Sequence, residues 1–491
     1  MLVKLSLAAV LAASSVHAFF KMPFDNIMVT ERSDPLVSPG TYSAHVHQVF
    51  GGSNFGPSST YEDLRKSECT SARAVEDKSA YWTPQLYFQW ANGSFTAVPS
   101  VGGGALIYYL FRDHPTDKYP IQAFPAGFRM LTGDPTQRTY YQTGNMKDAI
   151  GWNCLGSASP TRVEGSGLPV NKYCSGNLRG EIRFPSCWDG KQNYTTDGSH
   201  VAYSAGEAGP CPSTHPHRIP TLFYEINYYV QAMEPYRQQA LNPKQPFVLA
   251  MGDATGQGWH GDFQNGWHIP TLQSAIETCL SPTDGGIDLC PVLKQYDRSV
   301  DGQKSCKRTT IWNERVLGAT LAKLPGCNAI TTTRAAAVAQ MAACKERAPS
   351  KLASKPTTYF GDVPPAGTTL LSGDPTFVTS AYGYKYSGCY FDSQAKRTFS
   401  KQITTAKKTV ADCLTAARTA GYGWAAQEYG GECWVSKTAP TSKKLDDGSC
   451  SMPCTDRPSN YCGGAGAMAV YSSSTVKKMA KRHLESATAS H

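Results

Sequence analysis

Acidic, imidazole and indole side chains are concentrated in one glycine-rich stretch of the sequence. It contains Asp253, His260 and Asp262, together with Trp259 and Trp267. One carboxyl group that protonates a leaving oxygen and a second that attacks or activates water can cleave a glycosidic bond. The pattern therefore favours a saccharide cleft with Asp253, His260 and Asp262 as catalytic groups. The alternative is a loop in which these side chains only cap turns.

The histidines are unevenly distributed, since eight of the eleven lie between His45 and His268. His45 and His47 alternate along a strand-like stretch, which places both imidazoles on one face. His215 and His217 repeat this spacing around a proline. One interpretation is a copper or zinc site, because neutral imidazole is a ligand for both metals, although hydrogen-bonded histidines are the more common arrangement. In the alternative, the histidines form hydrogen bonds in a polar cleft, and no cofactor is required.

The scaffold that must position these groups is predicted to be mainly β. Glycine (44) and proline (32) are plentiful, and only 17% of residues are charged, which is typical of a turn-rich β protein. Strand-like and helical runs support this interpretation: Leu86–Trp90, Ala105–Phe111 and Phe247–Met251 as strands, Thr271–Leu280 and Arg334–Arg347 as helices. The predicted main domain is a disulfide-linked, jelly-roll-like β-sandwich. Six polar or aromatic residues are predicted to line its cleft: His47, Asp189, His200, His215, Trp259 and Trp267.

The first residues indicate a secretory route. Residues 1–18 combine a charged start, an apolar run too short to span a bilayer and a cleavage pattern ending at Ala18, as in a signal peptide. Asn92 and Asn193 begin glycosylation sequons, and the 16 cysteines are an even number, which suits an oxidising compartment. We expect a secreted, extracellular or wall-associated protein with no membrane span.

The positive charge of the chain is localised. The formal net charge is +9, and residues 292–356 carry most of it. This segment lacks the interleaved aromatic residues of a nucleic-acid interface, so no nucleic-acid partner is predicted.

The last part of the chain contains six cysteines: Cys389, Cys413, Cys433, Cys450, Cys454 and Cys462. It also contains the motifs Gly388-Cys389-Tyr390, Gly421-Tyr-Gly-Trp424 and Glu432-Cys433-Trp434. In these features it resembles a WSC domain, the cysteine-rich carbohydrate-binding module of fungal wall sensors and secreted enzymes. The resemblance implies an α+β module that binds extracellular polysaccharide such as β-glucan. Trp424, Tyr429 and Trp434 can present flat faces to sugar rings, or they can fill a small core.

The module departs from the usual WSC pattern at two positions. Such modules carry two further cysteines where this sequence has Ala417 and Val435. Loss of both partners removes a whole disulfide and leaves no orphan thiol. The remaining six cysteines are expected to form three bridges, for which spacing alone allows 15 pairings.

The first half of the chain contains the motifs His45-Val-His47-Gln48-Val-Phe50-Gly51-Gly52 and Phe184-Pro-Ser-Cys187-Trp188-Asp189-Gly190, and the loop that ends at Trp267. In these features it resembles an uncharacterised fungal secreted domain of unknown function. Such domains are often followed by a WSC module, and their reaction is not agreed.

Together these features predict six segments: a signal peptide (1–18), a main domain (19–290), a cysteine-containing extension (291–347), a linker (348–380), a WSC module (381–474) and a polar tail (475–491). The leading hypothesis is a secreted fungal wall or matrix protein that binds β-glucan and hydrolyses polysaccharide. A non-catalytic binding or structural protein and a copper-dependent oxidase are the alternatives.

Overall fold

The structure is a computed structural model that describes most of the chain. The described residues are 18–24, 26–156, 161–162, 167–279, 284–298, 306–317, 320–346, 348–352, 358–359, 378–393, 395–445, 447–450, 452–464 and 466–474. The predicted signal peptide up to residue 17, most of the predicted linker and the polar tail lie outside them. Ala18, the predicted cleavage position, pairs with Phe111 at the start of the first strand.

The first part of the chain is built from strands. They are β1 (Ala18–Phe24), β2 (Val29–Ser33), β3 (Tyr42–Gly51), β4 (Ala80–Pro84), β5 (Leu86–Gln89), β6 (Phe95–Ala97), β7 (Ser100–Phe111), β8 (Arg129–Thr132), β9 (Ile150–Cys154), β10 (Thr161–Arg162), β11 (Leu178–Arg183), β12 (Cys187–Trp188), β13 (Val201–Ala202), β14 (His217–Arg218), β15 (Thr221–Tyr228), β16 (Phe247–Leu249) and β17 (Gly261–Gln264). The three strand-like runs of the sequence correspond to β5, β7 and β16.

Two antiparallel sheets face each other across the main core. One has the order β1-β7-β15-β11-β9-β10 and the other β2-β3-β4-β17-β8. Their inner faces meet in one cluster, in which Tyr81 of β4 lies 5.9 Å from Tyr224 of β15 between ring centroids. The predicted β-sandwich is therefore confirmed. Two three-stranded sheets, β13-β12-β14 and β16-β5-β6, complete this region.

The five-stranded sheet is covered on both faces. Its inner residues, such as Phe50 and Phe263, join the sandwich core, and the alternate residues, such as Val49 and Trp82, join a second apolar cluster on the outer face. Residues 306–317 and 320–331 lie partly over this outer region, where the Arg308 guanidinium pairs with the buried Glu31 carboxylate. The outer face is therefore a second, partly polar interior.

The helices are short. They are α1 (Tyr61–Arg65), α2 (Met146–Ala149), α3 (Ile269–Thr278), α4 (Arg334–Ala343) and α5 (Val410–Thr419), with 3-10 turns at Val230–Ala232, Glu234–Gln239, Ile287–Leu289, Lys294–Tyr296 and Asp447–Cys450. Helices α3 and α4 confirm the two helical predictions, and β18 (Lys307–Arg308) pairs with β19 (Thr358–Tyr359). None of the described helices is long and apolar enough for a membrane span.

The last part of the chain is a small α+β module, as predicted. Its strands are β20 (Ser380–Ala381), β21 (Tyr384–Phe391), β22 (Lys401–Ile403), β23 (Trp424–Glu428), β24 (Glu432–Ser436), β25 (Lys444–Leu445), β26 (Pro453–Cys454), β27 (Arg457–Tyr461) and β28 (Ala467–Ser472). Helix α5 packs on one face of its sheet. Thr409 caps its start, because the side chain of Thr409 accepts a hydrogen bond from Asp412 N–H, and Gly421, at φ +74°, follows its end.

All 16 cysteines are paired in eight disulfides. The bridges join Cys69–Cys306, Cys154–Cys174, Cys187–Cys211, Cys279–Cys290, Cys327–Cys344, Cys389–Cys450, Cys413–Cys433 and Cys454–Cys462. The module thus has the three bridges expected from its six cysteines. Ala417 and Val435 lie buried in the same cluster as the Cys413–Cys433 bridge.

Candidate functional site

Three imidazoles meet at the outer face of the five-stranded sheet. His45 and His47 project from the same face of β3, and His260 immediately precedes β17, two residues before Asp262 on the same face. His45 Nε2 lies 3.0 Å from His260 Nε2. One ring nitrogen from each of the three residues lies within 4.8 Å of the others, and all three are buried. This group is called the histidine cluster below.

Backbone carbonyls fix two of the rings. His47 Nδ1 donates to the carbonyl of Ser33 at 3.3 Å, and His260 Nδ1 donates to the carbonyl of Gly258 at 2.8 Å. Both residues therefore keep their protons on Nδ1, and each Nε2 carries a lone pair. His260 Nε2 accepts from His45, whereas His47 Nε2 is buried without a hydrogen-bond partner.

The environment keeps the cluster uncharged. Burial lowers the pKa of His45 and of His47 well below the usual value. His47 and His260 lower the pKa of His45 further, and His260 lowers that of His47. Burial lowers the pKa of His260 to about 4. All three imidazoles are therefore neutral at neutral pH, which is the form that binds metal ions.

Two arginines flank the histidine cluster, and each has carboxylate partners. Arg32 pairs with Glu314 at 2.6 Å and with Glu346 at 2.8 Å. Arg138 lies 3.7 Å from Asp253. These carboxylates offset the guanidinium charges only in part, because Arg32 and Arg138 both still lower the pKa of His45.

Asp253 is the organising group of the glycine-rich loop. Its carboxylate accepts from Thr255 N at 2.7 Å and from Gly258 N at 2.8 Å, and the side chain has no exposed surface. The carbonyl of the same Gly258 accepts from His260 Nδ1. Asp253 therefore positions His260 through one residue, Gly258.

Asp262 belongs to a buried carboxyl pair. It is 2% exposed, and its Oδ2 has no hydrogen-bond partner. Burial, followed by the charge of Asp34, raises the pKa of Asp262 well above the usual value, and burial raises the pKa of Asp34 to about 6. Trp259 and Trp267 have no exposed surface, because they fill the sandwich core.

The remaining predicted residues of the cleft form a separate group around β12–β14. Both ring nitrogens of His200 are hydrogen-bonded, Nδ1 to Thr195 Oγ1 and Nε2 to the Arg129 carbonyl. His215 is likewise hydrogen-bonded through both, to Thr214 Oγ1 and to the Ser199 carbonyl. The two predicted His-x-His pairs therefore do not come together in one described metal site.

Asp189 and His217 belong to the same group. The Asp189 carboxylate caps a turn by accepting from Lys191 N and Gln192 N. The His217 ring stacks on Tyr119, with 4.3 Å between ring centroids.

The sheet of the terminal module has an aromatic face on the side opposite α5. Trp434 is 8% exposed, and the Arg397 guanidinium lies 4.4 Å above its ring. Trp424 and Tyr390 pack half-buried at the edge of the same apolar cluster. Arg397, whose side chain is partly exposed, also pairs with the buried carboxylates of Asp392 at 2.5 Å and Glu428 at 2.6 Å.

Tyr429 follows this face at the turn between β23 and β24. It is 43% exposed and has a left-handed φ of +49°. Of the two sequon asparagines, Asn92 is exposed, and Asn193 is half-buried and donates its amide to the Ala126 carbonyl at 2.7 Å.

Two family models match the chain. Residues 34–267 match the domain of unknown function DUF1996, and residues 386–464 match the WSC domain. The chain joins a DUF1996 domain to a WSC domain. The histidine cluster belongs to the DUF1996 domain, and the aromatic surface opposite α5 belongs to the WSC domain. The WSC domain indicates carbohydrate binding in general, and the eight disulfides fit an extracellular protein.

Curated relatives match only a fifth of the chain. A WSC domain-containing protein of Arthroderma benhamiae is 32% identical over 105 residues, which is 19% of this chain and 11% of the relative. The xylosyltransferase oxt of Drosophila pseudoobscura is 33% identical over 93 residues, 18% of this chain and 11% of the relative. The chain thus spans about a tenth of the length of these relatives.

Sequence reasoning identified the residues of the histidine cluster but not their grouping. The sequence alone places His260 in the glycine-rich loop, because no local pattern relates it to His45, 215 residues away. It also does not identify Asp34, Arg32 or Arg138 as neighbours of the site. One pattern in the sequence does relate two of the predicted residues. His260 and Asp262 are two residues apart at the start of a strand, which indicates that their side chains lie on the same face of the sheet.

Proposed function

We propose that this protein is an extracellular cell-wall or matrix protein whose WSC domain binds β-glucan. The observation that carries the proposal is the sheet face opposite α5, where Trp424 and Tyr390 are half-buried and Tyr429 lies exposed at the adjoining turn. Flat, partly exposed aromatic rings suit the apolar faces of sugar rings.

The polar part of the same face supports a sugar ligand. Arg397 is held by Asp392 and Glu428, so its guanidinium has a fixed position over Trp434. A fixed guanidinium beside aromatic rings provides hydrogen-bond donors for sugar hydroxyls.

Hydrolysis by the DUF1996 domain has less support. Asp253 is fully buried and already accepts hydrogen bonds from the loop, and Asp262 is 2% exposed. A glycosidase needs two carboxyl groups that flank the bond to be cleaved. The binding function is therefore the better-supported proposal.

Retention of the full chain on insoluble polysaccharides tests this function. The parent should be retained on β-1,3-glucan more strongly than on chitin or cellulose. Trp424→Ala should weaken retention by about 1–3 kcal/mol, the range for stacking on an aromatic side chain. Tyr382→Ala is the matched control. Tyr382 is an exposed aromatic residue, at 49%, in the turn between β20 and β21, outside the aromatic cluster of this face. A parent that is retained on none of the three polysaccharides would contradict the proposal.

A further inference from the structure

The histidine cluster has the composition and spacing of a metal site, and we propose that it binds one copper(II) or zinc(II) ion. Metal–nitrogen distances of 2.0–2.1 Å in a tetrahedral site separate the ligand nitrogens by roughly 3.3 Å. His45 Nε2 and His260 Nε2 are 3.0 Å apart, and the ring nitrogens of all three residues lie within 4.8 Å. Small movements of the rings, with the proton of His45 shifted from Nε2 to Nδ1, therefore suffice to place all three on one ion.

An unsatisfied nitrogen points to a ligand at this position. His47 is fully buried, and its Nε2 has no hydrogen-bond partner. A buried polar atom without a partner is unfavourable, and native proteins rarely retain one. An ion held between the three rings supplies the missing partner for His47 Nε2.

The hydrogen bonds on the far side of the rings are those of ligating histidines. Such histidines typically donate their other ring N–H to a carbonyl or carboxylate, which fixes the ring and directs the lone pair at the ion. His47 donates to the Ser33 carbonyl and His260 to the Gly258 carbonyl. Gly258 is in turn fixed by Asp253, which accepts its N–H at 2.8 Å.

The two guanidinium groups beside the histidine cluster have carboxylate partners, which reduces their repulsion of a cation. Arg32 is paired with Glu314 and Glu346, and Arg138 with Asp253. The neighbouring Glu31 carboxylate is engaged by Arg308, so the ligand set consists of three neutral nitrogens. Three protein ligands leave one position for water or another small ligand, as in zinc sites with three histidines.

The other metal group among the described residues does not compete with this site. It comprises Cys327, Cys344 and Glu346, but the two cysteines are joined in a disulfide and are not thiolate ligands. Copper(II) and zinc(II) both favour imidazole nitrogen, and copper(II) binds more tightly in the usual order of divalent ions.

Metal content of the untagged, full-length protein tests the proposal. The protein is stripped with a chelator, loaded separately with copper(II) or zinc(II), desalted and analysed by inductively coupled plasma mass spectrometry. The parent should retain one equivalent. His47→Ala and His260→Ala should weaken metal binding roughly tenfold or more. Loss of a residue that only hydrogen-bonds to a metal ligand already costs about tenfold, and loss of the ligand itself should cost at least as much. His215→Ala should bind as the parent does.

A second measurement keeps the test independent of variant folding. Electron paramagnetic resonance of the copper-loaded parent should show coupling to imidazole nitrogens. A parent that retains no metal, or no nitrogen coupling, would overturn the proposal. Equal retention by well-folded His47→Ala and His260→Ala variants would overturn it as well.

Discussion

His45 Nε2 lies 3.0 Å from His260 Nε2, although 215 residues separate them in the chain. The contact depends on the register of the five-stranded sheet and on the loop before β17. Since His260 Nδ1 donates to Gly258, His260 Nε2 is the acceptor and His45 Nε2 is the donor in the metal-free protein. The loop that fixes Gly258 therefore determines the geometry of the histidine cluster.

The first prediction concerns the carboxylate that holds this loop. Asp253→Ala should reduce the free energy of unfolding of the sandwich by about 3–5 kcal/mol, because Arg138 loses a buried partner and the N–H groups of Thr255 and Gly258 lose their acceptor. Thermal unfolding of the full chain measures this effect. Asp189→Ala, at a turn outside the core, is the control and should change the midpoint much less. An unchanged midpoint for Asp253→Ala would contradict the structural role.

The second prediction is a pH dependence from Asp77. Burial raises the pKa of Asp77 to about 6, compared with about 3.9 in an unfolded chain. The folded state binds more protons between these values, so stability falls as the pH rises from about 4 to about 6. In Asp77→Asn this fall should be smaller by about 2–3 kcal/mol.

Unfolding free energies at pH 4 and pH 7 test this difference. Asp63→Asn is an informative control, because hydrogen bonds to Thr60 lower the pKa of Asp63. The stability that Asp63 contributes therefore rises with pH, whereas the stability that Asp77 contributes falls. Identical pH profiles for the parent and Asp77→Asn would show that Asp77 is not the source of the dependence.

The third prediction restores the missing bridge of the WSC domain. Ala417 and Val435 are both buried beside the Cys413–Cys433 bridge. The double variant Ala417→Cys/Val435→Cys should therefore form a fourth disulfide in this domain and stabilise it by about 2–4 kcal/mol. Mass spectrometry after alkylation of the denatured protein should find no free thiol. Two alkylated cysteines at these positions would contradict the prediction, and each single variant provides the free-thiol control.

Local patterns predicted the WSC domain better than the histidine cluster. The spacing of its cysteines and the helix ends at Thr409 and Gly421 are short-range features, and the structure contains them as predicted. The grouping of His45 and His47 with His260 depends on strand register between distant segments, which no local period encodes. Trp259 and Trp267 illustrate the same limit, because an indole beside a carboxylate in sequence can point into the core.

The fourth prediction separates the two tryptophans of the WSC domain. Trp434 is 8% exposed under the Arg397 guanidinium, so Trp434→Ala should destabilise the domain by about 3–5 kcal/mol. Trp424 is only half-buried, so Trp424→Ala should weaken glucan binding with a smaller loss of stability. Calorimetric unfolding of both full-length variants, compared with their glucan retention, checks this division. Equal stability losses in the two variants would contradict it.

Adsorption of the full chain to β-1,3-glucan-rich fungal wall is the most direct test of the proposed function. The adsorption isotherm is recorded for the parent and for Trp424→Ala/Tyr429→Ala, with and without a soluble β-1,3-glucan oligosaccharide as competitor. The proposal predicts saturable binding that the competitor displaces, and a dissociation constant at least roughly tenfold weaker in the double variant, the equivalent of about 1.4 kcal/mol. A thermally normal double variant that adsorbs as strongly as the parent would contradict a binding role for this face.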